Sequence, residues 1–68
     1  MDRFSIVDIG GSARDIPSLV RELRHKNLIA ATEKDAAGDT VYLTNNLFAV
    51  RKIASDYDGL MIDVIKNR

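Results

Sequence analysis

Apolar positions along the chain change period five times, and each change marks a new element. Phe4-Ser5-Ile6-Val7-Asp8-Ile9 is short, rich in β-branched residues and stopped by Gly10-Gly11, which predicts a strand. Ile16, Leu19, Val20 and Leu23 then recur at i, i+3, i+4 and i+7, one stripe of a helix that starts near Ile16 and stops near Asn27. Ser12 and Asp15 offer capping oxygens, Pro17 suits the first turn, and Ser18, Arg21, Glu22 and His25 take the polar face. Leu28 to Lys34 predicts a weaker strand, whose Ala30-Ala31 and charged Glu33-Lys34 suit a sheet edge. Asp35 to Asp39 supplies a turn with Gly38 at a positive φ, and Thr40-Val41-Tyr42-Leu43-Thr44 alternates as the second half of a hairpin. Asn45 or Asn46 caps a second helix with Leu47, Val50, Ile53, Ala54 and Tyr57 on one broad face, ended by Asp58-Gly59. Leu60 to Ile65 predicts a last strand, and Lys66-Asn67-Arg68 a polar tail.

The order β-α-β-β-α-β predicts an α+β, ferredoxin-like two-layer sandwich: a four-stranded antiparallel sheet in the order 4-1-3-2 with both helices on one face. All 68 residues form a single domain in this reading. A winged helix is the competing fold, with Ser18 to Leu28 as recognition helix and the charged hairpin as wing, but it requires Phe4 to Ile9 to be helical.

Composition narrows the function more than it defines it. Ten basic residues balance ten acidic ones, so the chain lacks the long-range attraction to phosphate that drives non-specific nucleic-acid binding. It has no cysteine, which removes disulfides and thiolate chemistry and favours an intracellular, cytoplasmic setting. The apolar runs are too short for a membrane span or a signal peptide. An enzyme is not expected, because the one histidine, His25, sits among Arg24 and Lys26 with no nucleophile or orienting carboxylate evident. Asp35 and Asp39 suit turn chemistry rather than a metal, and no cofactor is expected.

Four groups of residues remain as candidate sites. Gly10, Gly11 and Ser12, between a strand and a helix, suit a small anionic ligand held by unpaired amides with Arg14 as supporting cation. Val7-Asp8-Ile9-Gly10-Gly11 within this element order resembles, in architecture only, the ACT-type regulatory modules that bind small ligands between paired copies; the resemblance implies a ligand-sensing domain and assigns no residue role. Arg21, Arg24, His25 and Lys26 form the basic helix end that nucleic acid would use in either fold, and Tyr42, with Phe4 nearby, is the aromatic an RNA-binding sheet would offer. Two helices cover one sheet face, so the other should expose an apolar patch from Tyr42, Met61, Ile65 and either Phe4 or Val7. Phe48 falls opposite Val50 and Tyr57, beside Arg51 and Lys52, as a second protein-binding anchor. The leading expectation is a small non-catalytic interaction or regulatory module, of the size of adaptors and inhibitors including those of mobile elements, that pairs with itself as a homodimer or with a protein partner. Nucleic acid is a less favoured partner, and no membrane is involved.

Overall fold

The computed structural model describes residues 1–9, 16–58 and 62–67. Its elements are β1 (Asp2–Asp8), α1 (Ile16–His25), β2 (Ala31–Lys34), β3 (Thr40–Thr44), α2 (Leu47–Asp58) and β4 (Ile62–Asn67). The four strands make one antiparallel sheet in the order β2-β3-β1-β4, which is the expected 4-1-3-2 order read from the opposite edge. The segment that a winged helix needs as a helix is therefore a central strand.

Register decides what each face carries. Phe4 lies opposite Tyr42 and Lys66, and Ile6 opposite Val64, so Phe4, Ile6, Tyr42, Ile62 and Val64 share one side. That side meets the stripes of both helices, and Phe4, Leu19, Leu23, Leu47, Val50, Ala54, Ile62 and Val64 close into one buried cluster. Phe4 is wholly buried, its ring stacked on Tyr42 at a centroid distance of 5.4 Å; burying a side chain of that size contributes about 1.5–3 kcal/mol.

Local chemistry fixes the ends. Asn27 takes a left-handed φ of 58°, and the Leu28 and Asn27 amides donate back to the Leu23 and Arg24 carbonyls, closing α1 in a Schellman motif. That bond holds Leu28 to the helix end, so β2 begins at Ala31 and not at Leu28. Gly38 adopts φ 86° in the β2–β3 turn, where the Asp35 carboxylate also accepts the Ala37 and Asp39 amides at 2.9 Å each. The α2 cap is Asn46, whose Oδ1 accepts the Ala49 amide at 3.1 Å. β4 continues through Lys66 and Asn67, expected as tail, because they pair with Phe4 and Arg3 at the start of β1.

Tyr57 of α2 makes both polar contacts to α1 among the described residues, its hydroxyl also lying 3.3 Å from the Ser18 carbonyl oxygen. The Tyr57 hydroxyl donates to Glu22 Oε1 at 2.7 Å, so Glu22, expected on the solvent face of α1, turns toward α2. Helical spacing leaves Glu22 at the border of the apolar stripe, within reach of a long tyrosine.

Candidate interaction surface

The open face of the sheet carries Arg3, Ser5 and Val7 from β1, Val41 and Leu43 from β3, Ala31 and Glu33 from β2, and Asp63, Ile65 and Asn67 from β4. Tyr42 is absent from it. The expectation of Tyr42 as an exposed contact is corrected by register: pairing with the buried Phe4 sends both rings under the helices. An RNA-binding sheet would thus find Phe4 wholly buried and Tyr42 partly buried against the core on the helix side. Val7, not Phe4, is the β1 residue that reaches the open face. Met61 lies outside the described residues.

The open face falls into two halves. Over β3, Arg3 Nη2 donates to Glu33 Oε2 at 3.1 Å, a bridge from β1 to β2 that must cross above Val41 and Leu43. Beneath it Val41 is only 1% exposed, although it stands apart from the main core cluster. Arg3 Nε is buried there without a hydrogen-bond partner, so the guanidinium lies against the sheet as a cover, and its stem shields apolar surface. Over β1 and β4 the described side-chain link is the hydrogen bond from Asn67 to Ser5, which ties adjacent strands and crosses above no third one. Ile65 is 45% exposed and Val7 36%, diagonal neighbours on the paired strands.

This second half adjoins the outer edge of β4. Among the described residues no strand pairs with that edge. A groove of about 180 Å³ opens between α2 and β4, lined by Arg51, Ala54, Ser55, Ile62, Asp63 and Val64, so the helix does not seal the edge. Of the polar residues on β4, Lys66 pairs with Asp2 at 3.5 Å and Asn67 donates to Ser5 Oγ at 2.9 Å, while Asp63 has no partner among the described residues.

On α2, Phe48 is 78% exposed, so it does not fold back over the strand end. Arg51, Lys52 and Ser55 are exposed with it, three, four and seven residues on along one helix face. Neither cation has an ion-pair partner among the described residues. On α1, Arg21 and His25 are exposed, but Arg24 donates to Thr32 Oγ1 at 3.1 Å and Lys26 pairs with Glu22 at 3.5 Å. Two of the four residues expected to meet nucleic acid are thus engaged within the fold.

Gly10, Gly11, Ser12 and Arg14 lie outside the described residues. Close by in sequence, the β1–β3 pairing ends at Phe4↔Tyr42 and a cleft of about 470 Å³ opens beyond it, lined by Ser5, Ile6, Asp8, Ile16, Asp39 and Thr40 among others. Its described ionisable residues are Asp8, Asp39 and Tyr42. Among the described residues no group of three or more His, Cys, Asp or Glu could hold a metal ion, and no helix is long and apolar enough to cross a membrane. Neither a protein-family model, nor a curated protein, nor a solved structure matches this chain.

Proposed function

We propose that this chain is a small non-catalytic protein-interaction or regulatory module of ferredoxin-like architecture that self-associates through the β4 side of its sheet. The observation that carries the reading is that the outer edge of β4 has no strand partner among the described residues and carries exposed Ile65, with Val7 beside it on β1. An edge with unused backbone groups and an apolar margin is a template for another strand. The Phe48, Arg51 and Lys52 face supplies a second contact suited to an acidic partner, since aromatic and arginine side chains dominate binding energy at interfaces. A lack of cysteine suits the intracellular, cytoplasmic setting in which such modules act. Sedimentation velocity tests the reading: the mass should rise from monomer toward dimer with concentration, and Ile65→Asp should hold it at monomer. A wild-type chain that remains monomeric at about 1 mM, a Kd worth only ~4 kcal/mol, would overturn it.

A second reading, a small-ligand sensor of ACT-like architecture, is favoured by the cleft beside β1. Amide resonances of Ser5 to Asp8 and Thr40 to Tyr42 that stay fixed during titration with small anions and amino acids would dismiss it.

A further inference from the structure

The self-association proposed above leaves open which residues of β4 meet, and the strand's own side chains select among the choices. Two copies of an edge strand pair antiparallel about a two-fold axis normal to the sheet. The open faces then lie on the same side, and directly opposed residues come from the same face. Each residue on the axis opposes its own copy, so every register is named by the residue at its centre.

Centring on Asp63 sets two carboxylates against each other, and centring on Lys66 sets two ammonium groups against each other; like charges directly opposite destabilise a pair. Centring on Val64 opposes Asp63 to the exposed Ile65 of the second copy and the buried Ile62 to its Lys66. Centring on Ile65 opposes Ile65 to Ile65, Val64 to Lys66, and Asp63 to Asn67. The last pair matches an acceptor to a donor: Asp63 has no partner in the monomer among the described residues. The Asn67 amide uses one hydrogen on Ser5 and keeps a second to donate. Ile65, the most exposed apolar residue on the strand, is buried at the axis with Val7 beside it.

We infer that a second copy of this chain docks on β4 in the register centred on Ile65, joining two four-stranded sheets into one continuous sheet with two Asp63–Asn67 hydrogen bonds flanking the axis. The inference rests on the self-association reading and adds the register to it.

The chain has no cysteine, so a single introduced thiol reports its own neighbour. Opposed residues of an antiparallel pair stand about 4.5–5.5 Å apart at Cα, within the span of a disulfide. Under mild oxidation Ile65→Cys should shift from monomer to covalent dimer. Asp63→Cys alone and Thr32→Cys on the far edge should remain monomer, and Asp63→Cys mixed with Asn67→Cys should give the mixed dimer. Ile65 is half exposed, so its replacement leaves the core intact. Self-linking of Asp63→Cys in preference to Ile65→Cys, or linking of Asp63→Cys to Ile65→Cys in preference to Asn67→Cys, would overturn the register even where wild type sediments as a dimer. A monomeric wild type would overturn the self-association itself.

Discussion

Strands β2 and β4 hold equivalent places at the two edges of the sheet, yet every residue of β2 is exposed while β4 buries Ile62 and Val64. The short strand is finished by side-chain bonds to its neighbours: Arg3 donates in to Glu33 and Arg24 to Thr32, while its own Lys34 donates out to Thr40 at 2.9 Å. Its outer rim is charged and only four residues long. The longer strand is held from beneath by the core and by six register pairs with β1, and its polar ties run inward to Asp2 and Ser5. One edge is thus occupied with its own sheet, whereas the other keeps Asp63 and Ile65 unused. Short, charged edges are how sheets avoid pairing with strangers, and only β2 is built that way.

The largest difference should appear on truncation. Ile62→Ala removes a buried β4 side chain and should cost about 2–5 kcal/mol of unfolding free energy. Thr32→Ala on β2 should stay within about 0.5 kcal/mol. Urea denaturation of dilute protein measures both, and comparable losses would show that the two edges lean equally on the core.

Arg3 gives the next effect. Losing its stem uncovers Val41, so Arg3→Ala should cost about 1 kcal/mol, while Arg3→Met keeps the cover and removes the unpartnered Nε, so its cost should be smaller or of opposite sign. Exposed ion pairs contribute only about 0.2–1 kcal/mol. Equal losses in the two variants would assign the role to the charge rather than the stem.

The smallest effect concerns the layer above both edges. Hydrogen bonding from Tyr57 lowers the Glu22 carboxyl below its ordinary range, against opposing desolvation and with Lys26 assisting. The same bond, with desolvation, raises Tyr57. A lowered carboxyl stabilises the fold above its ordinary pKa of about 4.3 and loses that contribution as pH falls through the folded value; a raised phenol stabilises below about 10 and loses it as pH rises. Tyr57→Phe should therefore lie furthest below wild type between these limits and converge with it beyond each. Parallel stability curves across the whole range would contradict the coupling.

Most of the scaffold was legible because period and punctuation agree: Leu19 and Leu23 on their stripe, the turn at Gly38, the cap at Asn46. The faces were harder. Strand alternation separates Val41 and Leu43 from Tyr42 without saying which side the helices take, and only pairing of Tyr42 with Phe4 decides it. Phe48 was readable because one helix's angles suffice. The Arg3 cover and the Tyr57–Glu22 bond were not, since they join residues 30 and 35 positions apart.

Amide hydrogen exchange as a function of protein concentration compares the two edges in one sample. Protection should grow with concentration at residues 63–67 of β4 and stay constant at residues 31–34 of β2. Growth at β2 with none at β4, or protection at both edges that ignores concentration, would contradict the assignment of β4 as the associating edge.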